Sequence, residues 1–207
     1  MTSGAREALK WLAVVFMTLD HAGKIIYSGE VPGLSEVGRL AFPLFAGVMA
    51  YNLAQPGADV AKSIRRLVVW GVIAQPVHAF AFGYWLPLNI LLTFALSATV
   101  IYALSSRYWL TAAFAAGAMP VFVDYQWAGV AFVVLSWAAF RHRHPWLLVP
   151  AFAAICLFNG NLWALAAVPV AAVVIPCATR VPRTRWAFYG YYVGHLALLA
   201  TVVSTAG

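Results

Sequence analysis

The sequence predicts an all-α protein, a polytopic transmembrane helix bundle of about nine spans, and three observations lead there. The chain of 207 residues is 64% hydrophobic and only 9% charged, whereas a soluble domain carries about 25% charge. Its apolar runs are continuous, without the apolar–polar alternation of an outer-membrane strand, so a helix bundle is what pairs every backbone polar group within lipid. Its basic residues gather in alternate loops, which sets an orientation.

The runs follow in order within a single domain, 1–207. The first, 9–28, reads as a retained span, because Lys24 and Gly29-Glu30-Val31-Pro32-Gly33 follow its apolar part instead of a small-residue cleavage site. The loop Gly29–Glu36 leads to the second, 37–54, with Arg39 near its start. Residues 55–64 lead to the third, 65–83, where Pro76 removes a helix hydrogen bond and predicts a kink. Runs 86–104 and 108–123 are parted by Ser105–Arg107, and Asp124–Tyr125 separates the latter from 126–140. Arg141–His144 precedes 145–159, the run 161–178 follows, and Thr179–Arg185 precedes the last, 186–205. Several runs have 15 or 16 residues, short for a hydrocarbon core about 30 Å thick; they read as less tilted or partly re-entrant.

With nine spans the loops alternate sides. One set, from the N-terminus (Arg6, Lys10) through Lys62, Arg65, Arg66, Arg107, Arg141 and Arg143 to Arg180, Arg183 and Arg185, holds eleven of the thirteen Lys and Arg residues. The other set carries Glu30, Glu36 and Asp124. This places the N-terminus in the cytoplasm and the C-terminus in the periplasm, in a multi-pass protein of the bacterial inner membrane. The net charge of +7 is therefore topological and predicts no nucleic-acid partner. A second use for the cytoplasmic cations is an anion cup: Lys62, Arg65, Arg66, Arg141, Arg143 and Arg183 are candidates to hold nucleotide phosphates. Cys156 and Cys177 lie in apolar runs and read as packing residues, not as a disulfide.

Charge inside a span is expensive, about 2.5–3.5 kcal/mol on insertion scales, so it marks function. In the first run Met17, Asp20, His21, Lys24 and Ser28 form one helical stripe that should face the bundle interior. His78 and His195 lie at similar depth on two other spans, and histidine suits proton transfer near neutral pH. Each also has a plain structural reading as a hydrogen-bonded interior side chain, and Asp20 and Lys24, four apart, can simply pair. Arg39 is the other candidate partner for Asp20. No metal-ligand spacing, Gly-rich phosphate loop, Gly-x-Ser-x-Gly elbow or internal repeat is visible, so no metal is expected. Trp11, Tyr84, Trp85, Tyr108, Trp109, Trp127 and Trp186 read as interface anchors.

Three segments together resemble the TraX family of membrane-embedded pilin acetylases. They are Leu9-Lys10 with Met17-Thr18-Leu19-Asp20-His21, then Gly38-Arg39-Leu40-Ala41-Phe42-Pro43-Leu44-Phe45-Ala46, and the closing Trp186 to Leu196 with its Tyr191-Tyr192-Val193-Gly194-His195 core. The pattern Asn-x-x-x-Thr at Asn89 and Thr93 is similar to a further family segment. The resemblance implies plasmid conjugation, N-acetylation of a pilin subunit, acetyl-CoA as co-substrate, and kinship with the acyltransferase-3 superfamily. It implies His21 as the catalytic histidine, Asp20 and Arg39 as its neighbours and His195 as the closing histidine. Where family members often carry acidic residues near the third-span proline, this chain has Gln75-Pro76-Val77-His78.

The expected function is transfer of an acetyl group from cytoplasmic acetyl-CoA to an acceptor at the membrane, the N-terminus of a conjugative pilin. His21 would act as general base, Asp20 would fix Arg39 or Lys24 for oxyanion stabilisation, and His195 would orient His21 or hold the acceptor. Lys24, His78, Asn89 and Thr93 are the candidate substrate-binding residues. The partners expected are the pilin and the lipid bilayer, with homo-oligomerisation left open. The alternatives are a proton-coupled transporter using the Asp–His–Lys stripe, and a non-catalytic membrane subunit of a conjugation or secretion apparatus.

Overall fold

The computed structural model describes residues 1–27, 29, 31, 33–177, 181–184 and 186–206. Ser28, Glu30, Arg180 and Arg185, invoked above, lie outside the described residues. Every regular element among them is helical, and Leu88 and Val123 form one isolated parallel bridge.

Helix α1 (Ser3–Ile25) begins where the Thr2 side chain accepts from the Ala5 N–H, satisfying one of the donors that a helix start leaves unpaired. A short α2 (Leu34–Gly38) turns through Arg39-Leu40 into α3 (Ala41–Ala54), so the second predicted run is one path with a break in it. Helix α4 (Val60–Phe82) is capped by Asp59, whose carboxylate accepts from the Lys62 N–H, and closes at Gly83 with φ 78°. It continues through Pro76. Asn89 caps α5 (Ile90–Ser105). Helix α6 (Trp109–Gly117) and a 3₁₀ turn at Met119–Phe122 precede α7 (Gln126–His142). Helix α8 (Leu148–Asn159) and α9 (Ala167–Cys177) each follow a 3₁₀ turn, and α10 (Ala187–Ala206) ends the chain.

The bundle is tied by α4 against α5 and α10, by α3 against α7 and α1, and by α7 against α8. Its core is built on Phe42, Phe94, Ile101, Phe132, Ile155 and Leu196. Cys156 and Cys177 are free thiols, one buried and one exposed.

Among the described residues, two paths are long and apolar enough to cross a membrane, Leu34–Ala54 and Ala187–Thr205. The remaining predicted runs differ for visible reasons. Helices α1 and α4 reach 23 residues each but carry charged side chains, while α6 and α9, at nine and eleven residues, are shortened by the adjoining 3₁₀ turns. The core is apolar, yet it also takes in polar side chains, while large apolar ones face outward. Glu7, Asp20, Gln75, His78, Asn89 and His195 are buried, whereas Leu110 is 89% and Leu157 82% exposed.

Candidate functional site

One face of α1 lines a cavity of about 870 Å³ with Glu7, Lys10, Met17, Asp20, His21 and Lys24. From Glu7 to Lys24 this face runs about 25 Å at 1.5 Å rise per residue. Helix α3 contributes Phe42 and Phe45, α4 contributes Arg66, His78 and Phe82, α10 contributes Tyr189 and Tyr192, and the turn before α7 contributes Asp124 and Tyr125.

At mid-length the first and last helices meet through two imidazoles. His21 Nδ1 and His195 Nε2 are 2.7 Å apart, with the ring planes 7° from parallel. His195 Nδ1 lies 2.8 Å from the Tyr191 carbonyl oxygen, four residues back on α10. A carbonyl only accepts, so for neutral rings His195 carries its proton on Nδ1 and accepts on Nε2. His21 must then donate from Nδ1, which leaves its Nε2 as a lone pair on a ring that lines the cavity. An imidazole so held in one tautomer by a partner behind it is able to act as a general base. His195 is 7% exposed and stands behind His21, outside the cavity wall.

Toward one end, Lys24 Nζ donates to Asp20 Oδ2 at 2.6 Å. Asp20 therefore pairs with Lys24, and Arg39 instead donates to Asn159 Oδ1 at 3.2 Å. The other Asp20 oxygen is buried without a hydrogen-bond partner among the described residues. Gly38 explains how α2 packs so closely here, since a Cβ at that position would overlap the Asp20 side chain. Across the cavity, Asp124 Oδ1 accepts from the Tyr125 N–H at 2.9 Å. Burial pushes the Asp124 carboxyl above the usual range, and the nearby Asp20 charge adds to this, while the Tyr125 N–H, Lys24 and Arg39 oppose it. Tyr125 and Gln126 hold φ of 57° and 45°, a conformation that costs a side-chain-bearing residue roughly 1–3 kcal/mol. The strain delivers the Tyr125 ring onto Phe42, with centroids 4.2 Å apart.

Toward the other end, Lys10 Nζ donates to Glu7 at 2.6 Å and sits 4.3 Å above the Phe188 ring. Thr184 donates through Oγ1 to the second Glu7 oxygen at 3.4 Å. Arg66 lies over the Tyr189 ring with its Nε buried and unpartnered among the described residues. Arg183 also lines this end. Of the six cations proposed for an anion cup, Arg66 and Arg183 reach the cavity. Lys62, Arg65 and Arg143 are exposed away from it, and Arg141 donates to the Ala54 carbonyl at 3.4 Å.

Of the candidate substrate residues, Lys24 and His78 line the cavity. Asn89 and Thr93 are fully buried outside it. Asn89 donates to the Gly71 carbonyl and to Gln75 Oε1, and Thr93 donates to the Asp124 carbonyl at 2.8 Å. Thr93 thus pins the strained turn from behind. Sequence reasoning missed Glu7 and Lys10 as cavity residues, although continuing the Met17–Lys24 stripe backward at helical spacing reaches both. Asp124, Tyr125 and Tyr192 gave no such signal, because their approach depends on the fold. No cluster of three or more His, Cys, Asp or Glu among the described residues is placed to hold a metal ion.

A helical fold enclosing an elongated cavity whose largely apolar wall carries ionisable groups, with an imidazole pair at mid-length and cations toward both ends, is the class that the fold and site define. A family model described as TraX protein matches residues 5–203, and the chain belongs to the TraX family. It is 31% identical to a protein named TraX from Escherichia coli K12, over 96% of this chain and 87% of that protein. A second Escherichia coli TraX is 39% identical over 53% of this chain and 44% of its own length. An uncharacterized Rickettsia prowazekii protein is 34% identical over 47% of this chain and 36% of its own length. No solved structure matches.

Proposed function

We propose that the protein is a membrane-embedded N-acetyltransferase that moves the acetyl group of cytoplasmic acetyl-CoA to the N-terminal amine of a pilin subunit in a conjugation system. The observation that carries this reading is the single cavity joining a basic end (Lys10, Arg66, Arg183) to a tautomer-fixed His21 at mid-length. Apolar side chains outside and ionisable ones inside fit lipid as the solvent. The loop charges fit a cytoplasmic N-terminus and a periplasmic C-terminus in the bacterial inner membrane. Counting α2–α3 as one crossing, and α6, α8 and α9 with their 3₁₀ turns as short ones, keeps the nine crossings that this orientation needs.

Lys10, Arg66 and Arg183 would grip the nucleotide phosphates, and the pantetheine arm would extend along α1 toward His21. The amine nitrogen attacks the thioester carbonyl. His21 Nε2 takes a proton from that nitrogen and returns it to the departing thiolate. Lys24 is held by Asp20 and Arg39 by Asn159, so one of these cations would turn from its partner to face the developing oxyanion.

The test is purified protein in detergent with acetyl-CoA and an acceptor peptide. His21→Ala should lower acetylation about 10²–10⁴-fold, and wild-type rates would remove His21 from the chemistry. Calorimetric titration should show acetyl-CoA binding that weakens in Arg66→Glu and Arg183→Glu. A proton-coupled transporter is the second reading, favoured by the length of the polar cavity; it requires flux in proteoliposomes and no binding of CoA.

A further inference from the structure

The reading above leaves one proton unaccounted for. An acceptor amine reaches the membrane as an ammonium, since an α-amino group has a pKa of about 7.7–8.0. Its nitrogen must lose one proton to become a nucleophile and a second when the tetrahedral intermediate collapses. His21 handles one of these and returns it to sulfur. The balanced reaction, ammonium plus thioester giving amide, thiol and one free proton, therefore needs a second acceptor with an exit to water.

The cavity holds one. His78, on α4 after Pro76, is 5% exposed, lines the same cavity as His21, and has a buried Nδ1 without a hydrogen-bond partner among the described residues. A buried ring nitrogen left without a hydrogen bond is costly, so its retention in the cavity wall points to a partner that is only transiently there. The His78 ring packs against Phe82 at 4.8 Å, and Phe82 in turn meets His21 at 5.3 Å, so one phenyl ring stands between the two imidazoles. His78 also meets the Tyr84 ring edge-on at 5.6 Å, Tyr84 in turn lies 5.9 Å from Phe82, and Tyr84 is 42% exposed. The ionisable groups sharing the cavity with His78 are Glu7, Lys10, Asp20, His21 and Lys24 from α1, Arg39 from the α2–α3 turn, Arg66 on its own helix, Tyr84 from the α4–α5 loop, Asp124 and Tyr125 from the turn before α7, Arg183 before α10, and Tyr189 and Tyr192 from α10.

We propose that His78 is a second base, which takes the first proton from the acceptor ammonium and passes it to water beside Tyr84 before His21 acts. This rests on the acetyltransferase reading. In the first step an N–H bond of the ammonium breaks and its proton moves to the His78 ring and then to solvent. In the second the C–N bond forms, the C–S bond breaks, and His21 carries the remaining proton from nitrogen to sulfur. No other reactant is consumed.

The experiment compares His78→Gln and His78→Asn with wild-type protein on two acceptor peptides. One carries an ordinary N-terminal glycine; the other carries an N-terminal aminooxy group, whose nitrogen is uncharged near neutrality. Both variants should lose about tenfold or more on the glycine peptide at pH 7. They should recover as the pH is raised through the amine's own titration, and they should acetylate the aminooxy peptide at wild-type rates. Equal loss on both peptides at every pH, with acetyl-CoA affinity unchanged by calorimetry, would mean that His78 only shapes the cavity, and that overturns the inference while leaving the acetyltransferase reading intact. Unchanged rates on both peptides overturn it as well. Wild-type protein that neither binds acetyl-CoA nor acetylates either peptide removes the parent reading, and the inference falls with it.

Discussion

His195 has no access to the cavity, yet it fixes which nitrogen of His21 carries a proton. Replacing it with alanine should cost activity through His21 alone. His195→Ala is expected to reduce kcat strongly with little change in KM, and the His21→Ala, His195→Ala double variant should be no worse than His21→Ala, because the two residues act as one unit. An additive double variant would give His195 an independent role. Lys24 and Asp20 make a different kind of pair. Lys24→Ala leaves a buried carboxylate with neither oxygen paired by a cation, a loss of about 1–3 kcal/mol, toward the low end because the Lys24 side chain is 39% exposed. Thermal melting in detergent should show the drop, and the double variant Asp20→Asn, Lys24→Met should recover most of it.

Two glycines on neighbouring elements separate packing from propensity. Gly38 closes α2 against Asp20 on α1, so Gly38→Ala must push the two apart; overpacking of this kind costs about 1–3 kcal/mol, and acetylation should fall with it. Gly47 in α3 has open space where a Cβ would stand, so Gly47→Ala should be neutral or stabilise the helix by about 0.5–1 kcal/mol. Melting temperatures moving together would argue against this account of Gly38. The turn before α7 can be probed through Thr93→Val, which removes the hydroxyl that holds the Asp124 carbonyl; a loss of about 1 kcal/mol and weaker acceptor binding are expected. The elements themselves were largely legible in the sequence. Charge marked both ends of α7, and the Met17–Lys24 stripe named the face of α1 that meets the cavity, but α4 starts at Val60, ahead of the predicted start at Arg65, because Asp59 caps it. The 3₁₀ turns before α8 and α9 were hidden, because they keep the same apolar composition as the helices they join, and the turn at Arg39-Leu40 was hidden inside an otherwise apolar run. The cation cup was legible only in sign. Loop position placed Lys62, Arg65, Arg66, Arg141, Arg143 and Arg183 on one side, but which of them turns inward is decided by how α4 packs on α10 and how Thr184, before α10, meets Glu7 of α1.

Across the whole molecule, the alternate-loop distribution of arginine and lysine predicts that reporters fused to the two termini will report opposite sides of the inner membrane. Reporters reading the same side would require an even number of crossings and would break the alternation of basic and acidic loops. The cavity beside α1 has one more consequence. Its polar face runs about 25 Å through a hydrocarbon layer only about 30 Å thick. A hydrated channel of that reach, dotted with side chains able to hand on hydrogen ions, would be an electrical short circuit for a respiring cell. For such a channel the stacked rings of Phe42 and Tyr125 and the phenyl of Phe82, all in the cavity wall, would be the insulation.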